Sequence, residues 1–128
     1  MQEPQLFEYA IIRVVPRVER EEFINVGVIL YCKNQKFLKA KYKLDTIKLL
    51  ALKSDLDCEE LEKNLKAFVA IAEGTKGDSI ISELDIPSRF RWLTATRSTV
   101  IQCSKVHPGF CKADAACSLN KIFEEMVL

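Results

Sequence analysis

Glu22-Phe23-Ile24-Asn25-Val26-Gly27-Val28-Ile29-Leu30-Tyr31-Cys32 is an apolar strand whose regularity fails on one side. Read with a period of two, Ile24, Val26, Val28, Leu30 and Cys32 share one face, while Phe23, Asn25 and Gly27 begin the other. This predicts a buried face and a notched, polar one. An amide and a glycine both weaken a strand, so their presence implies a close approach from outside it, or a bulge.

Working outward, Phe7 to Val15 also alternates, with Tyr9, Ile11, Arg13 and Val15 on one side and Ala10, Ile12 and Val14 on the other, until Pro16 ends it. The charged connection Arg17 to Glu22 then predicts an antiparallel pair with the notched strand. Downstream, Phe37 to Leu44 alternates Leu38, Ala40 and Tyr42 with Lys39, Lys41 and Lys43. A two-residue turn at Asn34-Gln35 would set Leu30 against Lys39. A three-residue loop at Lys33-Asn34-Gln35 sets Leu30 against Leu38 and keeps that face apolar, so this second register is expected. It places Asn25, Gly27, Lys41 and Lys43 together, with Arg13 beside them.

Asp45 is placed to cap a short helix carrying Ile47, Leu50 and Ala51. Asp57 is placed to cap a longer one, with a stripe of Leu61, Leu65, Phe68 and Ala72 and a stop at Gly74. Pro87 interrupts Ile80 to Leu93, where Arg89-Phe90-Arg91-Trp92 suits a strand or irregular chain. Thr96 to Ser104 reads as a strand, Val106-His107-Pro108-Gly109 as a turn, and Leu119, Ile122, Phe123 and Met126 as the inner stripe of a last helix. This order predicts one α+β domain over residues 1–128, a mostly antiparallel sheet of about four strands with helices packed on one face. The uncovered face is where a site is expected.

Nineteen basic and eighteen acidic residues leave a net charge of +1, so bulk charge favours neither nucleic acid nor a membrane as partner. With no signal-peptide core, and no apolar run near the roughly 20 residues of a spanning helix, a cytoplasmic protein is expected. Five cysteines in such a chain read as reduced thiols. Cys103, His107, Cys111 and Cys117 supply enough soft ligands for zinc, but without the close CxxC pair that anchors such sites, and no metal is expected. Walker loop, dinucleotide fingerprint, nucleophile elbow and HExxH are all lacking, so no cofactor is expected.

Arg13 is the one charge inside an apolar strand. It either pairs with Glu22 across the hairpin or offers its fork to an anion. Arg97-Ser98-Thr99 sets a guanidinium beside two hydroxyls, and His107 lies in a loop nearby in sequence. Arg13, Asn25, Gly27, Arg97, Ser98, Thr99 and His107 are therefore the expected ligand-binding set, for an anionic group of a partner protein or nucleotide. A hydrolase or nuclease-like enzyme would instead use Glu22 and His107 as acid and base, provided they share a cleft. A nucleic-acid module would use Lys39, Lys41, Lys43, Arg91 and Trp92.

The blocks Tyr9-Ala10-Ile11-Ile12-Arg13-Val14-Val15-Pro16, Glu22-Phe23-Ile24-Asn25-Val26-Gly27-Val28, Arg89-Phe90-Arg91-Trp92, Arg97-Ser98-Thr99 and His107-Pro108-Gly109 together resemble the bacterial family catalogued as domain of unknown function 3037. The resemblance runs from Phe7 to Val127. It implies a small cytoplasmic bacterial protein without an assigned activity, and a HipA-like kinase as an accessory or regulatory partner. Arg13, Glu22, Asn25, Gly27, Arg89, Arg97, Ser98, Thr99 and His107 fall on the matching positions, whereas the late cysteines do not.

Overall fold

β1 (Gln5–Val14) is hydrogen-bonded along both edges. β2 (Ile24–Cys32) and then β3 (Phe37–Tyr42) lie on one side of it, while β4 (Ile101–Cys103) and β5 (His107–Cys111) follow each other along the second side. All pairings are antiparallel and form one five-stranded sheet. The computed structural model describes residues 3–75, 77, 79–97 and 99–128.

Each neighbour of β1 carries one residue too many. Ile12 opposes Gly27 but Arg13 opposes Asn25, so Val26 is a bulge residue without a partner. On the other side Ile12 opposes Cys103 and Tyr9 opposes His107, which sets Ser104, Lys105 and Val106 against only Ala10 and Ile11. Ser104 repairs this second break: its amide donates to the Ile11 carbonyl (2.8 Å), and its hydroxyl accepts the Ile11 amide (2.8 Å) in place of a backbone carbonyl. Because side chains alternate, one inserted residue sends the rest of the strand to the opposite face.

The sheet is consequently buried on both sides. Ala10, Ile12, Val14, Val26, Ile29, Tyr31, Leu38 and Ala40 pack under α1 (Thr46–Leu52), α2 (Cys58–Glu73) and α3 (Ile86–Thr94). Phe7, Ile11, Val28, Leu30, Cys32 and Cys111 pack against Ala115, Leu119 and Phe123 of α4 (Ala115–Met126). The α+β class and antiparallel sheet are as read from the sequence, but the helical cover is two-sided: α4 covers Val28, Leu30 and Cys32, and the opposite face of β2, expected to stay open, carries Ile29 and Tyr31 under the other helices.

The β2–β3 register differs for the same reason. Leu30 opposes Lys39 and Cys32 opposes Phe37, the pairing rejected above for putting lysines on an apolar face. That face is indeed apolar, but β3 is its edge. There Lys41 sets its ammonium 4.8 Å from the centroid of the Phe123 ring and donates to Asn120 Oδ1 (3.3 Å), an edge-strand lysine lying over a helix with its head in water.

The helix ends follow their local sequence signals. Asp45 and Asp57 cap α1 and α2 by accepting the amides of Lys48 and Glu60, and Gly74 ends α2 at φ 71°. Pro87 opens α3 rather than breaking it, behind the cap Asp85, because the first turn of a helix needs no proline N–H. Arg91 then ties α3 to the sheet with a two-pronged contact to Glu8 (2.6 and 3.0 Å). The strand expected over Thr96 to Ser104 shortens to Ile101–Cys103. The expected His-Pro-Gly turn is strand β5, where Gly109 leaves room for the Phe7 ring lying across it.

Gln35, in the β2–β3 turn, donates to Gln5 Oε1 (2.7 Å) and to the Ala113 carbonyl (3.0 Å), and its own oxygen accepts the Ala115 amide (2.8 Å). Three distant stretches of chain meet on this one side chain. Among the described residues no helix is long and apolar enough to cross a membrane.

Ser104→Ala leaves the Ile11 amide buried without an acceptor and is expected to cost about 1–3 kcal/mol in urea unfolding. Gly27→Ala, whose new methyl would lie 2.5 Å from the Lys41 carbonyl oxygen, is expected to destabilise by at least about 1 kcal/mol. A wild-type midpoint for Ser104→Ala would refute its repair of the β4–β5 break, and one for Gly27→Ala the close approach of β3.

Candidate functional site

The two irregularities of β2 answer to the protein's own packing. Gly27 lets the backbone of β3 approach, and Asn25 donates its amide to the Met126 carbonyl (3.2 Å), closing the C-terminal end of α4. What remains unexplained sits beside them. Arg13 lies between Asn25 of β2 and Gln102 of β4, and its guanidinium stacks 4.1 Å from the centre of the Phe23 ring. Its Nε is buried without a hydrogen-bond partner, and so is the Asn25 Oδ1. Among the described residues no carboxylate pairs with Arg13. Glu22 pairs instead with Arg20 at 2.6 Å, both side chains being half-exposed.

A concavity of about 340 Å³ opens over this arginine, lined by Arg13, Val15, Val18, Glu21, Phe23 and Gln102. Glu21 reaches it from a left-handed backbone conformation (φ 59°) that ends the short 3₁₀ turn Val18–Arg20. Stacking on Phe23 uses the face of the guanidinium rather than its edge, and the edge N–H groups are the ones that donate to carboxylate or phosphate oxygens. Glu21, Phe23 and Gln102 were not selected from the sequence. Gln102 had a usable signal, being the one polar residue of the strand Ile101–Cys103.

The remaining candidates divide between places. Arg97 and Thr99 line a different cavity, on the other side of β4, and Gln102 borders both. Arg97 stacks 4.3 Å from the Trp92 ring centre and donates to the Trp92 carbonyl, while the Thr99 hydroxyl donates to the Ile101 carbonyl (2.6 Å). Ser98 lies outside the described residues. His107 is exposed, opposite Tyr9, four positions along β1 from Arg13 and thus about 13 Å away. Glu22 lies two residues before Ile24, which opposes Val14 at the end of β1, whereas His107 opposes Tyr9 in the middle of that strand, and the two do not share a cleft.

The basic and thiol sets also disperse. Lys39 and Lys41 lie on the α4 side of the sheet, while Arg91 and Trp92 belong to α3 on the other. Cys103 faces the α2–α3 core and Cys111 the α4 core, and among the described residues no three metal-ligating side chains gather. Burial pushes the Cys103 thiol up to about 12, against the opposing pull of Arg97 and Arg13. Arg89 packs at the end of α2, donating to the Leu84 carbonyl (2.7 Å) and reaching the Ala72 carbonyl (3.5 Å), although its Nε, like that of Arg13, is buried without a partner.

In native protein at pH 8, a thiol reagent is expected to label exposed Cys117 first and to leave Cys103 and the buried Cys32 and Cys111 unmodified. Raising the pH should not release Cys103 until about 12 is approached. Because the folded value lies above the ordinary 9.0, the contribution of this thiol to stability is full below pH 9 and declines as pH rises from there towards 12. Early labelling of Cys103, read by peptide mass mapping, would contradict its burial.

The model of a family described as protein of unknown function (DUF3037) matches residues 9–127, nearly the whole chain. No curated protein and no solved structure matches it.

Proposed function

The chain belongs to that family, and from this premise we propose a binding domain that recognises an anionic group of a partner through Arg13, Asn25 and Gln102. The observation that carries this reading is the pair of buried polar atoms without partners, Arg13 Nε and Asn25 Oδ1, on residues that oppose each other across β1 and β2. A buried donor or acceptor left unpaired costs about 1–3 kcal/mol. A group that accepts from the arginine while donating to the asparagine relieves both. The exposed ring of Phe23 adds an apolar contact at the rim.

Glu21 narrows the choice of ligand. A carboxylate on the same wall opposes a polyphosphate and favours a single anionic group accompanied by a hydrogen-bond donor, such as an acidic side chain or chain terminus of a partner protein. A HipA-like kinase, the partner implied by the family resemblance, is the first protein to test. Arg97, Thr99 and His107 lie outside this concavity, and Asn25, opposite Arg13 on β2, borders a neighbouring one of about 270 Å³ with Lys43, Asp45 and Lys48.

The Arg13 Nε–H is a buried proton whose nitrogen resonance reports contact directly. Titration with N-acetylglutamate, inorganic phosphate, ADP and the kinase is expected to move it saturably with the carboxylate or the kinase. Arg13→Lys, which keeps the charge but not the fork, should weaken that binding at least about tenfold. A resonance that none of the four shifts would overturn the proposal.

A further inference from the structure

A second cavity of about 500 Å³ lies between α2, the end of α3 and β4, separated from the Arg13 concavity by β4. Its floor and walls are apolar, chiefly Phe68 and Ile71 of α2, Leu93 of α3 and Ile101 of β4. Four polar side chains interrupt them: Arg97, whose guanidinium lies over the Trp92 ring, Asn64 of α2, Thr99, and Gln102 of β4. We propose that this cavity binds an apolar monocarboxylate, an aliphatic or aromatic acid whose body lies on the Phe68–Ile101 wall and whose carboxylate meets Arg97.

Size, confinement and charge select this occupant. The volume falls within the roughly 300–1,000 Å³ of small-molecule sites, which are likewise mostly apolar with a few placed polar groups. Of the large apolar side chains exposed elsewhere, only Trp92 lines the cavity. The greasy surface therefore stays inside the concavity and does not spread into the broad patch of about 1,000 Å² that a protein partner or a second copy would cover. Arg97 spends one N–H on the Trp92 carbonyl, stacks its face on the Trp92 ring, and makes no other hydrogen bond among the described residues. The hydroxyl of Thr99 donates to the Ile101 carbonyl, so the arginine is the principal recognition point.

Trp92 is the only tryptophan, which makes its emission a reporter of occupancy. Decanoate below its micellar concentration is expected to change that emission saturably, with 1-decanol at least about tenfold weaker, the size of a charge-assisted hydrogen bond. Arg97→Leu should bring decanoate down to the affinity of the alcohol, and Ile71→Phe should block both while leaving the circular dichroism spectrum unchanged. Arg13→Gln should bind decanoate as the wild type does, so failure of the anion reading at Arg13 and failure here are read separately. Equal affinity for acid and alcohol, binding that survives Ile71→Phe, or a concentration-dependent dimer in light scattering that changes the emission would each overturn the proposal.

Discussion

β1 supplies hydrogen bonds on both edges, and on both edges its partner is longer by one residue within the same short interval, Ala10 to Arg13. The two insertions let consecutive stretches of one strand serve opposite cores. Val28, Leu30 and Cys32 pack under α4, while Val26 packs with α2 and α3. Ile101 and Cys103 face one layer, and Cys111, the same parity in sequence, faces the other. Bulges also sharpen the local twist and re-aim the side chains beside them. Arg13 directly follows the first of them and comes one residue after Ile12, which closes the second; β1 itself carries no insertion, so Arg13 keeps the face of Ile11.

This arrangement separates packing from recognition. Residues that look functional in isolation are consumed by the fold: Gly27 by the approach of β3, Gly109 by the Phe7 ring, Arg89 by the end of α2, and Arg91 by Glu8. Once these are set aside, two cations stacked on aromatic rings remain beside concavities. Arg13 over Phe23 and Arg97 over Trp92 flank β4 from opposite sides. Stacking holds each planar group in place without using its edge, which preserves directional donors for another molecule.

Much of the local structure was legible in the sequence. Caps, stops and stripes depend on residues within one or two turns, and Asp45, Asp57, Gly74 and the Leu61–Ala72 stripe were read correctly for that reason. The facing of the strands was not, because the period-two argument assumes an uninterrupted ladder and a bulge inverts it beyond the insertion. The β2–β3 register was misread for a different reason: that ladder is unbroken, but β2 is apolar and buried on both faces, so apolarity selects neither a register nor an open face. At the site, Arg13 and Asn25 were legible as polar intrusions in apolar strands. Glu21 and Phe23 were not, since a 3₁₀ turn and a left-handed residue bring them over the sheet. Gln102 depends on a pairing between residues far apart in sequence.

The bonds of Gln35 carry a consequence for how the molecule comes apart. A helix of twelve residues normally frays from its ends, independently of the rest. The first amide of α4, however, is held by a side chain of the β2–β3 hairpin, which also grips the beginning of β1. Loosening that terminus therefore strips the hairpin turn of two anchors at once, and the last helix, the hairpin tip and the leading strand open and close as a single cooperative unit.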